Sequence, residues 1–150
     1  MPESFKSRLF RWKFNLFPAY RGSGGRVTYI SDDFMEIRVK IPLWRRTRNY
    51  VGTIYGGSMY SAIDPIYMLM LIQILGPDYI VWDKAAKIRF RKPGKDTLYA
   101  HFLLTQHEIQ EIKHLANTEK SVDRIYNLKL VDNPGKVYAQ IEKTLYIKKK

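Results

Sequence analysis

Asp64 is the residue whose surroundings ask for an explanation. It is the one acid between Glu36 and Asp78, and it stands where the chain turns most apolar, at Pro65 to Leu75. An isolated carboxylate placed in a low-dielectric region costs several kcal/mol or stays protonated, so such a group needs a purpose or a partner. Two readings of it are open on local signals. Asp followed by Pro can cap a helix, with Pro65 at the first helical position. Alternatively, the helix begins at Gly56-Gly57, and Asp64 then lies about two turns inside it, roughly 10 Å along the axis. In that case Pro65 removes the N–H that the Ser61 carbonyl would accept and bends the helix beside the carboxylate. The glycine pair favours the second reading, because glycines allow close backbone approach and unpaired N–H groups at a helix start polarise an oxygen. Such a pair sets a partly desolvated carboxylate on the same helix as backbone donors able to polarise an oxygen.

Other common chemistries lack their residues. There is no cysteine, hence no thiolate nucleophile, thiolate metal site or disulfide. His101, His107 and His114 do not form a metal-binding HExxH, and no metal is expected. The link Arg21-Gly-Ser-Gly-Gly-Arg26 lacks the Lys-Ser/Thr ending of a phosphate-binding loop and reads as a plain connection. Gly56-Gly57-Ser58-Met59-Tyr60 lacks the last glycine of a nucleophile elbow.

The elements that must position Asp64 follow from periodicity. The 150 residues, 45% hydrophobic, suffice for one domain with its own core. Residues 4 to 17 put Phe5, Leu9, Trp12 and Leu16 on one helical face and basic residues largely elsewhere, a basic amphipathic helix ended by Pro18 that can cap a core or touch a membrane. Val27 to Ile30 and Phe34 to Ile41 read as a hairpin around Ser31-Asp32-Asp33. The helix opened by the glycine pair runs to about Leu75, where Gly76-Pro77 stops it, and from Ile66 onward it is apolar on nearly every side. Tyr79 to Arg91, Thr97 to Leu104, Arg124 to Val131 and Lys136 to Ile147 read as strands, with a short helix over Gln106 to Leu115. In the last strand Val137, Ala139, Ile141, Leu145 and Ile147 keep a period of two that only Lys143 interrupts. Short connections favour an antiparallel sheet, and a buried helix needs that sheet to curve around it, which predicts an α+β roll.

The run Asn49-x-x-Gly52-x-x-Tyr55-Gly56-Gly57, with Asp64 nine residues after Tyr55 and fifteen after Asn49, resembles the motif of hotdog-fold acyl-CoA thioesterases of the phenylacetate-pathway type. Ile88-Arg89-Phe90-Arg91-Lys92-Pro93-Gly94 is similar to that family's third conserved block. The resemblance implies a hotdog fold, a curved antiparallel sheet wrapped around a long central helix, over residues 25–147, preceded by an N-terminal helix and link over residues 1–24. It further implies a homodimer or dimer of dimers with paired central helices and acyl-CoA, or an acyl-carrier thioester, at the subunit boundary. The Gly56 N–H would polarise the thioester carbonyl. Asp64 of the other subunit would activate water or attack, and Asn49 would orient water or substrate. Tyr55, Gly57 and Asp83 would line the substrate. Tyr55 stands where the family has His, and a phenol donates a hydrogen bond but is a poor base near neutral pH. Asp83 falls where the family often has a small hydroxyl residue.

Lys and Arg number 26 against 14 acids, a net charge of +12. Lys84, Arg89, Arg91, Lys92 and Lys95 offer cations for the phosphates of coenzyme A, which enters as part of the substrate, with no separate cofactor. The other reading of each is a solvated sheet edge. Lys148-Lys149-Lys150 reads as a solvated tail. No apolar leader precedes the basic N-terminal residues and Pro65 to Leu75 is short for a membrane span, so a cytoplasmic protein without a transmembrane segment is expected. Two alternatives stand beside hydrolysis: a hotdog protein that binds acyl groups without turnover, and a module driven by charge onto a membrane surface or, less expected, a nucleic acid.

Overall fold

Alternation of apolar and polar residues gives six strands, all antiparallel: β1 (Arg26–Ile30), β2 (Glu36–Ile41), β3 (Tyr79–Phe90), β4 (Leu98–Leu103), β5 (Val122–Val131) and β6 (Val137–Lys149). The structure, a computed structural model, describes residues 2–150. The strands form one sheet in the order β1-β2-β4-β5-β6-β3. Along β6, Ala139, Ile141, Lys143, Leu145 and Ile147 all point into the core, so Lys143 is carried inward by the same period of two that buries its apolar neighbours. A register shift between Asp83 and Ala85, opposite Leu145 and Thr144, bulges β3 close to that lysine.

The central helix comes in two pieces, α3 (Gly56–Ser61) and α4 (Ile66–Leu75). Pro65 has no N–H to give the Ser61 carbonyl, and the chain resumes through Ile66 N–H to Ile63 O (3.3 Å) and Leu69 N–H to Pro65 O (2.9 Å). The break also frees the Ala62 carbonyl, which accepts the hydroxyl of Tyr20 at 2.7 Å, as burial of such a group requires. Gly76, at φ +82°, ends α4 in a conformation that favours glycine. Ile63, Ile66, Met70 and Leu71 are fully buried against the sheet, but Met68, Leu69 and Ile72 are not. One face of the helix that the sequence expects to be enclosed is therefore left uncovered by this chain. The span Gly56–Leu75 is long and apolar enough to cross a bilayer, yet half of its most apolar window is buried in the fold.

The N-terminal helix α1 (Phe5–Leu16) starts at Ser4, whose hydroxyl and that of Ser7 close a capping box. It lies along β1. The Asn15 side chain donates to the Val27 carbonyl and accepts from its N–H, both at 2.8 Å, and Glu3, held by Arg11, accepts the Ile30 N–H at 3.0 Å. These contacts occupy the outer edge of β1, whereas among the described residues no strand or helix edge-pairs with the outer side of β3.

Several features refine or differ from the sequence expectation. The face of α1 turned to the core carries Ser7, Phe10 and Phe14, with Phe10 edge-on to Phe34, while the Phe5–Leu9–Trp12–Leu16 stripe faces outward. Pro18 does not simply end helix; it takes the first position of a short second one, α2 (Pro18–Arg21), where its missing N–H costs nothing. Lys148 and Lys149 are not a loose tail but pair with Ile80 and Tyr79. The remaining helix, α5 (Gln106–Thr118), is longer than expected by three residues and connects β4 to β5.

Candidate active site

Asp64 sits in the turn between α3 and α4, inside the broken helix and not at its cap: the N-cap position of α4 is Pro65 and has no side-chain hydrogen bond. One carboxylate oxygen, Oδ1, accepts the Tyr60 hydroxyl at 2.7 Å and the Lys143 ammonium at 2.6 Å. Tyr60 reaches it because residues four apart share a helix face. The other oxygen, Oδ2, makes no hydrogen bond among the described residues, and the side chain is 41% exposed. The carboxylate is thus clamped on one side and open on the other.

Lys143 supplies the clamp. Its side chain has no solvent exposure, and its ammonium lies 2.6 Å from Asp64 Oδ1, 2.9 Å from Asp83 Oδ1 and 3.2 Å from the Tyr60 oxygen. A buried ammonium is tolerable only with such partners. Burial alone would lower its pKa, but the contacts to Asp64, Asp83 and Tyr60 outweigh this and hold it above its ordinary value. Burial pushes Asp83 up from 3.8 against the pull of Lys143, and Tyr60 is raised by burial and by its bond to Asp64. The Asp83–Lys143 contact is an ion pair without hydrogen-bond alignment, for Asp83 Oδ1 has no partner of good geometry.

At the other end of α3, the N–H groups of Gly56 and Gly57 find no acceptor among the described residues, while Ser58 and Met59 donate to the Tyr55 carbonyl. Both glycines are pressed by rings. A Cβ on Gly56 would lie 3.1 Å from Phe90, and one on Gly57 2.3 Å from the ring of Tyr55. Tyr55 is the N-cap residue, and its backbone N–H is tied to Thr47 O.

The remaining expected residues separate. Asn49 is spent on its own loop: Oδ1 accepts the N–H groups of Val51 and Thr53, and Nδ2 donates to Thr53 Oγ1 at 2.9 Å. Asp83 joins the Lys143 cluster. Lys84 is paired with Asp123 at 2.6 Å. Arg89, with Lys87, His101 and Lys129, lines a groove of about 760 Å³ whose walls include none of Asp64, Gly56 or Asn49. Arg91, Lys92 and Lys95 are exposed, with Lys92 lowered by the adjacent Lys136. Sequence reasoning missed Lys143 and Tyr60 as site residues. The signals were the one break in the β6 alternation and the four-residue spacing to Asp64. No group of three or more His, Asp or Glu able to hold a metal exists among the described residues.

Comparison with protein families matches residues 6–147 to the family described as a domain of unknown function, DUF4442. Comparison with functionally curated proteins gives no match. Among solved structures, PA5026 from Pseudomonas aeruginosa, described as a protein of unknown function and probable thioesterase, superposes with a TM-score of 0.84 at 19% identity, over 100% of this chain and 99% of its own. The thioesterase HI1161 from Haemophilus influenzae does so with a TM-score of 0.70 at 14% identity, over 98% and 93%. At these identities the likeness concerns the fold, a hotdog roll.

Proposed function

We propose, for a chain that belongs to the DUF4442 family, that it hydrolyses acyl thioesters at a site completed by a second copy of itself. The observation that carries this reading is the Asp64 carboxylate, fixed through Oδ1 by a fully buried lysine and presented through Oδ2 on the helix face the sheet leaves bare.

Geometry argues for the second copy. A reacting carbonyl must lie about 3 Å from both its oxyanion donor and its attacking oxygen. Gly56 N–H and Asp64 are eight residues apart on one helix, roughly 12 Å along the axis, which no single carbonyl bridges. Two central helices packed in opposite directions on their bare faces would bring the Gly56 end of one to the Asp64 of the other. Ile72, 39% exposed, with Met68 and Leu69, supplies the apolar part of that contact, and the open edge of β3 supplies the backbone part.

In this site the Gly56 and Gly57 amides hold the carbonyl oxygen as negative charge develops on it. Asp64 Oδ2 takes a proton from water, whose oxygen bonds to the carbonyl carbon. The C–S bond then breaks, the thiolate leaves with the bonding electron pair, and the proton held on Asp64 passes to the sulfur, which restores the carboxylate. Tyr55 can donate to the substrate but is not needed as a base. Arg91, Lys92 and Lys95 are unpaired with acids among the described residues and suit the phosphates of coenzyme A or of a carrier arm. One observation favours a second reading, binding without turnover: the Tyr55 ring lies against Gly57, close to where the carbonyl would rest.

A panel of acyl-CoA thioesters of graded chain length, read by thiol release, separates the two. Wild type turns over at least one member, and Asp64→Asn loses on the order of 100-fold or more in kcat with its melting profile retained. Undiminished turnover by Asp64→Asn overturns the mechanism, and tight acyl-CoA binding by wild type without product selects the second reading.

A further inference from the structure

The outward face of α1 has no role in the proposed site. Phe5, Leu9, Trp12 and Leu16 fall within an arc of about 60° on the helix, opposite the Ser7, Phe10 and Phe14 face that packs on the core. Phe5 is 78% and Trp12 62% exposed, with Leu9 and Leu16 also open to solvent. A chain rarely leaves so many large apolar side chains in one line without something to cover them.

The charges around the row say what covers it. Lys6 and Lys13 flank it on one side and Arg8 on the other, all exposed. Next to it, Trp12, Leu16 and Trp44 line a groove of about 700 Å³ together with Arg21, Arg26 and Arg46. None of the residues lining that groove is acidic. The nearby Glu3 faces inward, engaged by Arg11 and the β1 backbone. Arg46 stacks on Trp44, 5.4 Å from the ring centroid, which holds a guanidinium against an aromatic side chain of the same groove. An apolar stripe bordered by cations is the form of a helix lying in the plane of an anionic lipid surface, with rings among the acyl chains and cations at the headgroup phosphates. A second copy of this chain is a poor cover, since it would bring the same cations face to face. The helix that carries the stripe lies along β1, at the opposite end of the sheet from β3.

We propose that the Phe5–Leu9–Trp12–Leu16 face of α1, with the Arg21–Arg26–Arg46 groove beside it, docks this protein on anionic phospholipid membranes. The apolar row supplies insertion and the groove supplies phosphate contacts, so binding needs both.

The test is flotation of the full chain with vesicles of phosphatidylcholine alone or mixed equally with phosphatidylglycerol. The wild type floats with the anionic vesicles and not with the neutral ones, and added salt weakens the association. Leu9→Ser/Trp12→Ser, both exposed positions, lowers the partition coefficient by about tenfold or more with an unchanged melting temperature and unchanged particle mass by light scattering. Lys6→Gln/Lys13→Gln lowers it as well. Wild type that stays with the soluble fraction overturns the proposal, as does a Leu9→Ser/Trp12→Ser variant that floats like wild type. A drop in particle mass in that variant would mark the face as a subunit contact and equally refute docking. So would salt-sensitive binding of the wild type to RNA without vesicle binding.

Discussion

Replacing Lys143 by Met probes the clamp directly. The substitution keeps an unbranched apolar stem in a position with no solvent exposure and removes the ammonium between Asp64 and Asp83. At 2.9 Å and an effective dielectric of about 20, the attraction to Asp83 is on the order of 6 kcal/mol before desolvation. The partner at Asp64 contributes less to stability, because a carboxylate 41% exposed is screened by water once the cation goes. Asp83, 24% exposed, is the group left stranded. Breaking a buried pair by deleting one member typically costs about 3–5 kcal/mol, which for a chain of this size lowers Tm by roughly 6–20 °C. The loss depends on pH with a definite sign. Burial already lifts Asp83 above 3.8, and without Lys143 nothing opposes that lift. A carboxyl raised in the folded state contributes stability below its unfolded pKa and loses it as pH rises, so the deficit is small near pH 4 and full at neutrality. Adding Asp83→Asn to Lys143→Met should recover much of the loss. Urea unfolding of the four proteins of this cycle measures each quantity. A Lys143→Met chain within about 1 kcal/mol of wild type at neutral pH, or a deficit that grows on acidification, refutes the reasoning.

Two further outcomes follow from contacts away from the site. Asn15→Ala removes both side-chain bonds to Val27 and bares the β1 edge, so it should cost about 1–3 kcal/mol by denaturant titration and raise turbidity on warming. Glu108, on α5, is raised by burial, but hydrogen bonds from Arg124 and Tyr126 outweigh this and hold it below 4.5. Its contribution to stability is therefore present above that value and lost as pH falls through the folded pKa. Glu108→Gln should destabilise at neutral pH, and the gap to wild type should close under acid, read by thermal melts across the pH range.

The periodic parts of this fold were open to inspection in the chain itself. β3, β4 and β6 fall within two residues of where alternation puts them, and Pro65 breaks the helix beside Asp64 as its missing N–H demands. Local pattern did not reveal which of two apolar stripes on α1 meets the core. Phe10 and Phe14 win because Phe34, distant in sequence, and Tyr20, in the next helix, offer them rings. Nor does the spacing of Asn49 show that its amide is absorbed by Val51 and Thr53, a matter of loop conformation. Lys143 lies 79 residues from Asp64, so the ion pair at the site exists only once β6 is laid under the helix. Its trace in the chain was a single charged residue where a period of two called for an apolar one.

The covering of β1 by α1 sets the arithmetic of assembly. Polymers grow from units with two reactive ends, whereas a unit with one can only dimerise and stop. Asn15 and Glu3 retire one end of the sheet by donating and accepting in place of a neighbouring strand, and β3 remains as the live end among the described residues. In the proposed dimer, two copies joined there would consume each other's valence, and a sheet with long, strand-ready margins would become a finite particle rather than the seed of a fibre.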